Sequence, residues 1–90
     1  MIEQFAKSKS GHDKGTVYAV YREEGDFVFL VDGRLKKVSN PKKKNVKHIQ
    51  RIKNLPAPVK EILNSDIYHD EDNRIRNAIK EYMESGFLRL

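Results

Sequence analysis

Thr16-Val17-Tyr18-Ala19-Val20-Tyr21-Arg22-Glu23-Glu24-Gly25-Asp26-Phe27-Val28-Phe29-Leu30-Val31-Asp32-Gly33 decides the fold. Its first six residues are β-branched or aromatic apart from Ala19, the composition that fits a pleated, half-buried strand. Glu24-Gly25-Asp26 is a turn signal, and Phe27 to Val31 reads as the strand that returns from it. That return strand is apolar on both faces, which predicts a central place in the sheet. Asp32-Gly33 is the dipeptide favoured in two-residue hairpins, where both central positions take positive φ.

Working outward, Arg34-Leu35-Lys36-Lys37-Val38 alternates, so the hairpin is expected to continue as a third strand with Leu35 on the opposite side from most of its basic residues. Ser39-Asn40-Pro41 reads as a loop, and Val46-Lys47-His48-Ile49 as a last short strand. Several short strands spaced by turns over residues 1–53 predict a mainly β domain, a small barrel. Asn54-Leu55-Pro56-Ala57-Pro58 changes the character of the chain, so residues 54–90 form a proline-containing linker and a helical appendage. Pro58 suits the first position of a helix, and Val59, Ile62 and Leu63 recur at helical spacing over about two turns. A second helix starts near Asp70-Glu71-Asp72, whose carboxylates complement a helix dipole. Ile75, Ala78, Ile79, Tyr82 and Met83 make its apolar stripe, and Gly86 is expected to end it. That stripe is expected to pack on the sheet or on the first helix, with docking to another protein as the alternative.

Ninety residues allow one domain, and with 38% hydrophobic and 34% charged residues the core is thin. No run approaches the roughly 18 apolar residues of a membrane span. The start, Met1-Ile2-Glu3-Gln4-Phe5, lacks the regions of a signal peptide. The chain has no cysteine, which excludes disulfides, thiolate metal sites and a thiol nucleophile. A cytoplasmic location is the expectation. Charge is unevenly divided. Residues 1–53 carry thirteen Lys/Arg against six Asp/Glu, and residues 54–90 carry five against seven, within a net charge of +5. The first part is suited to a polyanion.

The density peaks between Arg34 and Lys53, where nine cations (Arg34, Lys36, Lys37, Lys42, Lys43, Lys44, Lys47, Arg51 and Lys53) stand without one acid. Edge strands do use lysines against aggregation, but nine on a hairpin and the loop beside it repel one another unless a polyanion neutralises them. Phosphate contacts of this kind position a protein without reading sequence. Tyr18, Tyr21, Asn45 and His48 are the candidates for base contacts. The acidic group Asp66, His69, Asp70, Glu71 and Asp72 fits no metal-loop spacing and reads as a helix start. His12, His48 and His69 lie on different elements without zinc-ligand spacing. No catalytic constellation assembles, so the protein is expected to be a non-enzyme with neither metal nor cofactor.

One further segment is distinctive. Phe5-Ala6-Lys7-Ser8-Lys9-Ser10-Gly11-His12-Asp13-Lys14-Gly15-Thr16-Val17-Tyr18-Ala19-Val20 resembles the KOW motif, in which a strand enters a glycine-bearing turn and leaves as alternating residues; Gly15 matches its signature glycine. Leu30-Val31-Asp32-Gly33-Arg34, Asn40-Pro41-Lys42-Lys43-Lys44-Asn45-Val46-Lys47-His48 and Ile75-Arg76-Asn77-Ala78-Ile79-Lys80-Glu81-Tyr82 extend the likeness over nearly the whole chain. Together they are similar to small bacterial KOW-domain RNA-binding proteins, relatives of KOW-bearing large-subunit ribosomal proteins.

The resemblance implies an SH3-like β-barrel that binds RNA, with ribosomal RNA as the leading ligand, ribosomal proteins as neighbours and a monomer when free. By position it makes Gly11, His12, Asp13, Lys14 and Gly15 the KOW turn, and Lys42, Lys43, Lys44, Asn45, Lys47 and His48 the basic segment. Arg34, Lys36, Lys37 and Arg51 join them as expected phosphate contacts. Related members carry arginine where His12 stands here, so a permanent charge is replaced by one that depends on pH. The alternative is a protein-interaction module of the transcription or translation machinery, docking through the barrel or the C-terminal helix as KOW domains of NusG-type elongation factors do.

Overall fold

The computed structural model describes residues 2–88. In chain order its elements are β1 (Phe5–Ser8), β2 (Val17–Glu24), β3 (Phe27–Val31), β4 (Lys42–Asn45), a single 3₁₀ turn (Val46–His48), β5 (Ile49–Ile52), α1 (Ala57–Leu63) and α2 (Glu71–Leu88). The five strands form one antiparallel sheet in the order β4-β3-β2-β1-β5. No ladder joins β4 to β5 among the described residues, so the curled sheet is not closed into a barrel. No described helix is long and apolar enough to cross a membrane.

Both faces of the sheet are used, which is why β2 begins with four consecutive buried residues. Ala6, Tyr18, Val20, Val28, Leu30 and Ile49 fill the concave side. Phe5, Val17, Ala19 and Val31 point the other way and pack with Leu55, Val59, Ile75 and Ala78. Strand alternation produces this division, and the register keeps it: Phe5 opposes Ala19, and Ala6 opposes Tyr18. Tyr21 is an extra residue between the Val20–Leu30 and Arg22–Phe29 pairs, a bulge that resets the alternation.

The helices cover the second face. Val59 of α1 and Ile75 and Ala78 of α2 are fully buried there, and Phe5 meets Tyr82 edge-to-face with ring centroids 5.6 Å apart. Both helices therefore share one core with the sheet. The expected stripe of α2 is used except at its far end, where Met83 is 52% exposed. Pro58 sits one position later than expected, because Ala57 opens α1. Asp70 caps α2 by accepting a hydrogen bond from the Asn73 amide at 2.7 Å. Gly86 does not end α2, which runs on to Leu88.

Four other sequence expectations are corrected. Residues 34–38 are not a strand, and Leu35 is 85% exposed. The Asp32-Gly33 hairpin does not form, since Gly33 alone takes positive φ. Asp32 instead accepts hydrogen bonds on Oδ1 from the Arg34 and Lys36 amides, at 2.8 and 2.9 Å, an Asx-type turn. The lysine run expected to continue a loop is the edge strand β4, which makes β3 second from the edge. Val46–His48 is a 3₁₀ turn capped by the Asn45 side chain, and the last strand begins at Ile49.

Candidate nucleic-acid interface

The turn at residues 9–15 is built around one carboxylate. Asp13 Oδ1 lies 2.9 Å from both the Ser8 hydroxyl and Lys44 Nζ, and Oδ2 lies 2.8 Å from both the Tyr18 hydroxyl and Lys42 Nζ. Lys44 Nζ also donates to the Ser10 carbonyl at 2.9 Å. Burial by itself would raise the Asp13 carboxyl. Hydrogen bonds from Lys42, Lys44, Tyr18 and Ser8 outweigh it and hold the group far below the usual carboxylate range. Tyr18 is pushed the opposite way, by burial first and then by its bond to Asp13 and the charges of Asp13 and Asp32.

This arrangement follows from strand parity. Lys42 and Lys44 oppose Leu30 and Val28 and so share the concave side, where their ammonium groups reach Asp13 past apolar neighbours. The turn closes through Gly15 N–H to the Ser8 carbonyl at 2.8 Å and Thr16 N–H to the Asp13 carbonyl at 2.9 Å. Gly15 has φ near +91° with open space around its Cα, so the conformation and not crowding calls for glycine.

The expected site residues thus fall into separate groups. Asp13, Lys42 and Lys44 are spent on one another, and Arg51 is paired to Glu23 at 2.7 Å and bonded to Gln4 at 2.9 Å. The Arg51 contact lowers the Glu23 carboxyl and raises the guanidinium. Around the turn, Lys9, His12, Lys14 and Lys47 face solvent with no acidic partner within 4 Å among the described residues. The Lys9 amide bonds the His48 carbonyl at 2.8 Å, which sets the 3₁₀ turn beside the 9–15 turn. Arg34, Lys36 and Lys37 stand elsewhere, on the loop against the start of α2. The nine cations are not one hairpin face.

Neither tyrosine expected to reach a base is free to do so. Tyr18 is 3% exposed, and Tyr21 packs under the helices with its hydroxyl 3.5 Å from Glu71. On the sheet, Phe27 and Phe29 are turned outward, and sequence reading missed them. Arg22, Phe29 and Lys43 oppose one another across β2, β3 and β4. The Arg22 guanidinium carbon sits 3.9 Å from the Phe29 ring centre, and Lys43 Nζ 4.3 Å from that of Phe27. The signal for them was the doubly apolar run itself, once one face is assigned to solvent. No family model matches the chain, and no curated protein is significantly similar to it.

Proposed function

We propose that this protein is a non-enzymatic, cytoplasmic RNA-binding module of KOW type, gripping phosphates with the cations around its 9–15 turn and taking ribosomal RNA as its ligand. The observation that carries this reading is the contrast at the turn: Lys42 and Lys44 share the one carboxylate of Asp13, while Lys9, Lys14 and Lys47 next to them have no acidic partner among the described residues. A scaffold that spends part-buried ion pairs to hold a turn rigid, and surrounds it with unpaired charge, suits a polyanion with a fixed shape. Phe27 and Phe29 beside Lys43 and Arg22 offer stacking surface for unpaired bases. The likeness to KOW-domain RNA-binding proteins supplies ribosomal RNA as the ligand.

Titration with a structured RNA at several salt concentrations tests the reading. The expected result is log K falling linearly with log salt, because each neutralised phosphate releases counterions. Co-sedimentation with a ribosomal subunit at moderate salt and release at high salt tests the ribosomal assignment. Binding to RNA without such co-sedimentation keeps the module and removes the ribosome.

A further inference from the structure

We propose that α2 forms a second part of this RNA interface, holding a sugar-phosphate strand in the groove between its polar face and the 32–37 loop. The proposal rests on the RNA-binding reading above and extends it to a helix whose known role in the fold is to close the core. The groove encloses about 580 Å³ and is lined by Asp32, Arg34, Asn73, Arg76, Asn77 and Lys80 among others. Asn73, Arg76, Asn77 and Lys80 follow at i, i+3, i+4 and i+7, so they share one side of the helix. Ile75 and Ala78 occupy the buried side. The helix has two working faces.

Charge on the polar face is left unneutralised. Arg76 and Lys80 stand four residues apart, a like-charge spacing that weakens an isolated helix. Each has an acid one turn away, Asp72 or Glu84, yet neither ion pair forms within 4 Å. Asp72 turns Oδ1 to the Val38 amide at 2.9 Å instead. Elsewhere on the same helix Arg74 does pair with Glu71, at 3.9 Å. Arg34, Lys36 and Lys37 add three more cations from the facing loop, again with no acidic partner within 4 Å among the described residues. The carboxylates that border the groove have structural work: Asp32 binds the Arg34 and Lys36 amides, Asp70 caps the helix and Asp72 holds Val38.

The loop is also fixed in place. Asp32 and Gly33 amides donate to the Lys36 carbonyl at 2.8 and 3.2 Å. Gly33 lies so close to α2 that an added Cβ would overlap the Asp72 carbonyl oxygen and press on the Arg76 amide. A loop pinned this closely presents Leu35, 85% exposed, between Arg34 and Lys36. Cations without an acidic partner among the described residues, beside one exposed apolar side chain, match the chemistry of a nucleic-acid strand, whose phosphates need charge and whose sugars and bases offer apolar contact. An apolar protein groove would not present this density of charge.

The test uses the full chain and a labelled RNA hairpin with a single-stranded tail. In Arg76→Ala/Lys80→Ala, the slope of log K against log salt should become shallower by roughly 1.4 to 1.8, at 0.7 to 0.9 per lost phosphate contact, with thermal unfolding close to wild type. Lys60→Ala, an exposed charge on α1, should leave both slope and affinity nearly unchanged. The side-chain amide resonances of Asn73 and Asn77 should shift when the RNA is added. If the double variant keeps wild-type affinity and slope while Lys9→Ala/Lys14→Ala/Lys47→Ala loses them, the helix takes no part and only the primary reading stands. If Lys60→Ala loses as much as either helix position, net charge and not the groove is responsible, and the proposal fails. If the wild-type chain shows no salt-dependent RNA binding, both fall.

Discussion

The 9–15 turn and the 32–37 loop are alike in composition and differ in what their aspartates bind. Each contains an aspartate, a glycine of positive φ and neighbouring basic residues. In the first, Asp13 gathers side chains: two ammonium groups and two hydroxyls converge on its carboxylate. In the second, Asp32 gathers backbone amides and leaves Arg34, Lys36 and Lys37 outside. The first loop becomes rigid by binding two cations of β4 and leaves its own Lys9 and Lys14 unpaired; the second becomes rigid by backbone bonds alone. Lysine density along the chain therefore does not measure binding surface, because the partner of each lysine decides its use.

Deleting the two aspartates should separate the roles by the widest margin. Asp13→Ala leaves Lys42 and Lys44 facing each other with little solvent, since the Lys44 side chain is only 10% exposed. Removing one partner of such a buried network costs about 3 kcal/mol. For a domain of this size that lowers Tm by more than roughly 10 °C. Asp32→Ala loses two surface backbone bonds and should cost about 1 kcal/mol. Equal losses in thermal unfolding would erase the distinction.

Acid should act through the first loop. The Asp13 carboxyl titrates far below the ordinary carboxylate range in the fold, so the unfolded chain binds its proton more readily. Its contribution is complete above the unfolded value of about 4 and declines as pH falls below it. Chemical denaturation of Asp13→Asn at pH 6 and at pH 3 should show a flatter loss than wild type. An unchanged acid limb would mean that other carboxylates govern it.

The glycines sharpen the same comparison. Gly33→Ala meets both a positive φ and the backbone of α2, and should destabilise by about 2 kcal/mol. Gly15→Ala meets only the positive φ, and should cost about 1 kcal/mol. The reverse order in urea midpoints would show that the loop is not held against the helix as described.

Much of the fold was legible because it rests on local signals. Val17 to Tyr21 and Phe27 to Val31 have strand composition, and Val59 to Leu63 and Ile75 to Tyr82 have helical period; all appear where expected. Lys42 to Asn45 was illegible as a strand. Lysine has little strand preference, and the run is placed by pairing with Val28 and Leu30 and by an aspartate 31 residues before Lys44. Arg34 to Val38 alternates by composition alone, with nothing to pair against once β4 takes the edge of β3. Gly86 carried a stop signal that helix continuation overrode. The basic surface was visible as a charge excess, but its division into paired and unpaired cations depends on contacts between distant residues. Phe27 and Phe29 were hidden by the same limit, since which face of β3 is wet follows from where the helices pack.

The most direct test of the account is the salt dependence of RNA binding by wild type beside Lys9→Ala/Lys14→Ala/Lys47→Ala. The wild-type slope of log K against log salt should be steeper than about −3, and the triple variant's should be shallower by roughly 2, at about 0.7 to 0.9 per contact. Thermal unfolding should be unaltered, since all three side chains lie outside the Asp13 network. A wild-type slope near zero, or a triple variant that binds as wild type does, would contradict the claim that the unpaired cations of this turn grip phosphate.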